Sequence, residues 1–120
     1  MAGRARHHRW HVERGQDVLT LSRCRPARFD LAVEAVLPVM EPLRLAHQIR
    51  QDMWRALRDL RGFAPAVRVA RSGDVLHVTA GGAVAGPVPR AQAEAAIRAV
   101  LDNPANRARW QGYAKVRAHV

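Results

Sequence analysis

The sequence predicts a small single α+β domain in which a mainly antiparallel sheet packs against a long amphipathic helix and C-terminal helices. Three observations predict it. Short β-rich runs flank turn residues near both ends of the first two thirds of the chain, one long segment carries apolar residues at helical spacing, and two prolines open helical patterns in the last third. The chain has 120 residues, 48% of them hydrophobic, enough for one core and too few for two domains. Residues 1–9 read as a basic N-terminal arm and 10–120 as the domain.

Trp10 to Glu13 and Asp17 to Leu21 flank Arg14, Gly15 and Gln16, which is a hairpin pattern. From Phe29 to Val39, Leu31, Val33, Ala35 and Leu37 alternate as a strand with one buried face would, although the Ala and Glu content also permits a helix that stops before Pro38. The strand is the preferred reading. Pro42 to Arg61 then reads as a helix, opened by proline at its first position and closed by Gly62. Leu45, Ile49, Met53, Ala56, Leu57 and Leu60 cover an arc of roughly 120°, the width of a core-facing stripe. The adjacent arc holds Arg44, His47, Arg50, Arg55, Arg58 and Arg61, with Trp54 among them.

Ala66 to Arg71, Val75 to Ala80 and Ala83 to Val88 read as a three-stranded meander turning at Ser72–Asp74 and at Gly81–Gly82. Val67, Val69, Leu76 and Val78 alternate with Arg68, Ala70, His77 and Thr79, so one sheet face can be buried and the other left polar. Pro89 opens a helix through Leu101, and Asn103 with Pro104 forms a cap and first turn for a last helix to about Ala118. The order helix, three strands, helix between Pro42 and Leu101 resembles in topology the double-stranded-RNA-binding domain. That family carries a Lys-rich cluster at the start of its second helix, where this chain has Pro89, Arg90, Ala91 and Gln92, so the resemblance transfers no binding residue.

The formal net charge is +10, and Lys115 is the single lysine beside many arginines. A GC-rich bacterial genome accounts for Arg in place of Lys, but not for an excess of basic over acidic residues. The excess is spread along the chain, with acid-free concentrations at Arg4, Arg6, His7, His8 and Arg9 and again at Arg107, Arg109, Lys115 and Arg117. Such a field attracts polyanions, and nucleic acid is the commonest in a cytoplasm. One cysteine allows no internal disulfide and indicates a reducing compartment, and no apolar run nears the roughly 18 to 20 residues of a membrane span. A cytoplasmic location is expected.

Catalytic and cofactor signatures are missing. The glycines at 81, 82 and 86 lead into Pro87 and Val88 rather than a Lys and Ser or Thr, so no phosphate-cradling loop is present. His7 and His11 have no completing ligand for a metal. Asp52 and Asp59 are about 10 Å apart along a helix, too far for a glycosidase pair, and pairing with Arg55 is their simpler use. The expected function is therefore non-enzymatic nucleic-acid binding, DNA before RNA, by backbone or shape readout. Its expected residues are Arg44, His47, Arg50, Trp54, Arg55, Arg58 and Arg61 with Arg107, Arg109, Trp110, Lys115 and Arg117; no cofactor or metal is expected. Trp54 has a competing reading as a side chain half buried on the sheet, and Trp110 with Tyr113 as anchors of the last helix. A different class of function, an adaptor whose Trp/Arg surface meets an acidic protein, fits the same residues.

Overall fold

A computed structural model describes residues 10–116. They form an α+β fold with one five-stranded antiparallel sheet and three helices. The strands are β1 (His11–Gly15), β2 (Val18–Ser22), β3 (Leu31–Pro38), β4 (Ala64–Ser72) and β5 (Val75–Ala83), in spatial order β1-β2-β4-β5-β3. The helices are α1 (Pro42–Ala56), α2 (Arg90–Asp102) and α3 (Pro104–Tyr113).

The helices share one face of the sheet. Leu19, Leu21, Leu31, Val33, Leu37, Val67, Val69, Leu76 and Val78 point into a core completed by Leu45, Ile49 and Met53 of α1, Ile97 and Leu101 of α2 and Trp110 of α3. The alternation that favoured a strand at 31–38 is realised: Leu31, Val33 and Leu37 are buried while Ala32, Glu34 and Val36 are exposed. Among the described residues no helix lies on the other face. Across its middle run Glu13, Thr20, Arg68, Thr79 and Glu34, register partners in turn from β1 to β3.

The outer edge of β3 is protected by α2. Glu94 accepts from the Ala32 N–H at 3.2 Å, Arg98 donates to the Glu34 carbonyl at 2.8 Å, and Arg90 donates to the Asp30 carbonyl. Residues four apart on one helix face thus satisfy backbone groups that an uncovered edge would offer to another strand.

Several expected boundaries move. The first hairpin turns at Gln16–Asp17, with Asp17 rather than Gly15 taking the positive φ of 60°. Gly81 and Gly82 lie inside β5: a Cβ would stand 1.8 Å from the Leu31 carbonyl oxygen at position 81 and 2.1 Å from that of Ala64 at position 82, so close strand approach requires glycine there. The expected third meander strand at 83–88 is not formed: Ala83 ends β5, and 84–88 is a connection bent at Ala85 and Gly86 (φ 83°). Only two strands separate α1 from α2, which removes the topological resemblance to the double-stranded-RNA-binding domain.

Helix α1 begins as expected, with Pro42 at its first turn and Glu41 accepting from the N–H groups of Arg44 and Leu43. It stops at Ala56, not Arg61. The Leu57 N–H still reaches the Met53 carbonyl, but the Leu60 N–H turns to Leu57, and Gly62 (φ 68°) reverses the chain toward β4. Gly62 therefore closes the turn that follows the helix, not the helix itself, whose C-cap is Leu57. Helix α3 ends at Tyr113 rather than near Ala118, because the Ala114 carbonyl leaves the helical pattern to accept from the Glu41 N–H at 2.7 Å.

Candidate nucleic-acid interface

Helix α1 has a buried side, an outward side and two flanks, and its polar residues divide among them. The outward arc carries Arg44, Gln51 and Arg55, all exposed. One flank meets α3 and the other meets the open end of the β1–β2 hairpin.

On the α3 flank the charges are spent on structure. The Asp52 carboxylate is 8% exposed and accepts from the Trp110 indole N–H at 2.8 Å, from Arg109 at 2.8 Å and from Arg55 at 3.4 Å. Arg109 also donates to Gln48 and Asn106, each through hydrogen bonds of 2.8 to 3.0 Å. Trp110 is fully buried. Three of the expected contact residues are therefore structural: Trp110 is core, because its large ring belongs to the hydrophobic cluster and its one polar atom is satisfied by Asp52. Arg109 is held by three acceptors. Arg107 donates to the Leu101 carbonyl at 2.6 Å and lies 3.6 Å from Asp102, joining α3 to the end of α2. Of the two aspartates, Asp52 pairs with Arg55 as expected, whereas Asp59 lies beyond the helix end and is exposed.

The hairpin flank is built differently. Because His11 pairs with Ser22, the next residues outward, Trp10 and Arg23, emerge side by side at the end of the hairpin. The Arg23 guanidinium carbon lies 5.1 Å from the Trp10 ring centre and that of Arg50 lies 4.7 Å from it, both over the ring. His47 meets the same ring edge-on at 6.3 Å, and Arg50 Nε donates to His47 Nδ1 at 3.3 Å. An aromatic quadrupole holds a guanidinium without neutralising it, so Arg50 is positioned and remains a cation. Partial burial, reinforced by the nearby Arg50 charge, holds the His47 pKa below the usual histidine value, and burial followed by repulsion from Arg23 lowers that of Arg50. One turn beyond Arg50 stands Trp54, 53% exposed.

Among the described residues no carboxylate pairs with Arg44, Arg50, Arg58, Arg61 or Lys115. Arg58 and Arg61 are exposed in the turn after α1 rather than on the helix. Lys115 follows Ala114, whose carbonyl is bonded to the residue that caps α1, so it lies at the start of the same helix. Arg117 and the basic run 1–9 lie outside the described residues. The structure thus gathers Arg44, His47, Arg50, Trp54 and Arg55 on α1 with Lys115 at its start and Arg58 and Arg61 past its end. It adds Trp10 and Arg23, which sequence reasoning missed; extending the hairpin register by one pair would have placed them together.

No protein-family model, curated protein or solved structure matches the chain. Among the described residues no three His, Cys, Asp or Glu side chains gather as a metal site would require, and no helix is long and apolar enough to cross a membrane.

Proposed function

We propose that this protein binds nucleic acid, DNA before RNA, through the outward arc and hairpin flank of α1, and that it acts without catalysis. The observation that carries the reading is Arg50 held on the Trp10 ring beside His47, with an exposed Trp54 one turn on and, among the described residues, no carboxylate paired with Arg44 or Arg50. Arg44 and Arg50 extend over about 9 Å of helix and meet backbone phosphates. Base-edge readout has no support in the arrangement, so binding is by backbone and shape. The setting we propose is the cytoplasm, on the charge and the single free Cys24.

The test is fluorescence anisotropy against duplex DNA, single-stranded DNA and duplex RNA at three salt concentrations, with poly-glutamate as a polyanion control. The reading expects at least one nucleic acid to bind well above poly-glutamate with a steep salt slope. Equal weak binding to every polyanion contradicts it. The exposed Trp54 beside arginines also favours a second reading, an adaptor docking on an acidic protein, since Trp and Arg are the common anchors of protein interfaces. Under that reading Trp54→Ala abolishes a protein complex and leaves nucleic-acid affinity unchanged.

A further inference from the structure

We propose that the α1 surface takes unpaired nucleotides, with one base stacked on Trp54 and the flanking phosphates on Arg50 and Arg58. The inference rests on the nucleic-acid reading above and narrows it to single-stranded segments.

The first observation is the indole itself. Trp54 leaves half its surface in water, with Arg50 one helical turn before it and Arg58 four residues after it, in the turn that follows the helix. A flat apolar ring between cations suits a nucleobase with a phosphate on either side. In a duplex the base faces are stacked on one another and only their edges reach the grooves. A ring fixed to a helix can therefore stack only on a base that has left the stack or never had a partner.

The second observation is how little of α1 is free. Contacts from the hairpin reach His47, through Trp10, and contacts from α3 reach Gln48, through Arg109. Consecutive helix residues differ by about 100°, so over the first half of the helix the arc left open between these two flanks is about that wide, and it widens at the exposed Trp54, Arg55 and Ala56. A helix that reads a major groove must enter a channel about 12 Å wide with much of its circumference exposed. Helix α1 is walled on both sides as far as Arg50 and Asp52. Its open arc forms a strip with cations along it and Trp54 at its hairpin-side border, which matches a single strand laid across the surface.

A third feature lies at the other end. Tyr113 is 57% exposed and immediately precedes Ala114, which is bonded to the capping residue of α1. Exposed rings thus mark both ends of the helix, with Arg44 and Lys115 near Tyr113 and Arg55 and Arg58 near Trp54.

The experiment measures anisotropy of a mixed-sequence 12-nucleotide DNA strand and of the same strand annealed to its complement, about the length an oligonucleotide-binding site of this kind covers, with the full chain and its Trp54→Ala and Trp54→Phe variants. Single strand is expected to bind at least about fivefold more tightly than duplex. Trp54→Ala is expected to lose at least about fivefold on the single strand, the lower end of one base–aromatic stack, and less than about twofold on the duplex. Trp54→Phe, which keeps a ring, retains most of the affinity, and the tryptophan fluorescence quenched by the single strand in the parent chain is largely unquenched in this variant. Matching urea midpoints for the three proteins show that folding is not the cause. Equal affinity for the two DNA forms, or an equal loss on both in Trp54→Ala, overturns the single-strand inference and leaves the nucleic-acid reading standing. Absence of binding to either form above poly-glutamate overturns both.

Discussion

The two flanks of α1 put the same residue type to opposite uses. Toward α3, Arg109 and Arg55 close on Asp52, a buried carboxylate that also takes the Trp110 N–H, and the charges cancel within the fold. Toward the hairpin, Arg50 rests on the ring of Trp10 beside Arg23 and keeps its charge. A tryptophan accompanies the arginines in each place: Trp110 is sealed in the core, whereas Trp54 stands in solvent. The difference teaches that an arginine's role follows from its partner. A carboxylate turns it into structure, and an aromatic ring fixes its position while leaving it available to an outside anion.

The largest effect expected from breaking this contrast is on stability. Asp52→Ala strands the buried Trp110 N–H and takes a carboxylate from the half-exposed Arg109, and the unsatisfied donor together with the lost charge-assisted hydrogen bond costs about 3 kcal/mol. For a domain of this size that lowers Tm by about 10 to 20 °C, read by thermal denaturation. Asp52→Asn, which keeps an acceptor for the indole, loses less. Nucleic-acid affinity of the folded Asp52→Asn protein does not fall, since the α3 flank is not the contact surface.

The next effect separates the flanks by salt dependence. Arg50→Gln removes a cation that meets a phosphate, so the slope of log affinity against log salt for single-stranded DNA decreases by about 0.7. Arg109→Gln leaves that slope unchanged and lowers the urea midpoint instead. Equal slope changes in the two variants would erase the distinction between the flanks.

The smallest effect is a pH dependence. The His47 pKa in the folded chain lies below its ordinary value of 6.5, so over the interval between the two values the unfolded chain binds more protons than the folded one. Stability therefore declines as pH falls from that ordinary value toward the folded pKa and is not regained below it. His47→Gln removes this contribution, and the urea midpoints of the two proteins at pH 7.5 and pH 5 show a smaller difference for the variant.

Much of the fold was legible because local signals and burial agree. The valines of β4 and β5 and Pro42 at the start of α1 each specify an element without help from distant residues, and the alternation of Leu31, Val33 and Leu37 favours a strand where the Ala and Glu content also permits a helix. The ends of elements were less legible. Helix α1 continues on its periodicity through Leu57 and Leu60, but both side chains reach the core from a tighter turn, and α3 ends where a carbonyl finds a partner 73 residues earlier in the chain, on Glu41. Of the site, the cations of α1 could be read directly from helical spacing. The fates of Trp110 and Arg109 could not, because Asp52 comes to them across 58 and 57 residues and nothing in the spacing of Trp110 and Tyr113 says which ring is buried. Trp10 was hidden for a similar reason, since its partners lie on another strand and another helix.

The most direct test of the central claim, that the hairpin flank and outward arc of α1 form the binding surface, is backbone amide chemical-shift mapping during titration with a single-stranded DNA oligonucleotide. The account predicts shifts concentrated at Trp10, Arg23 and residues 44–55, together with the indole N–H of Trp54, while the indole N–H of Trp110 stays in place. Shifts centred instead on Arg68, His77 and Thr79 of the open sheet face would contradict it.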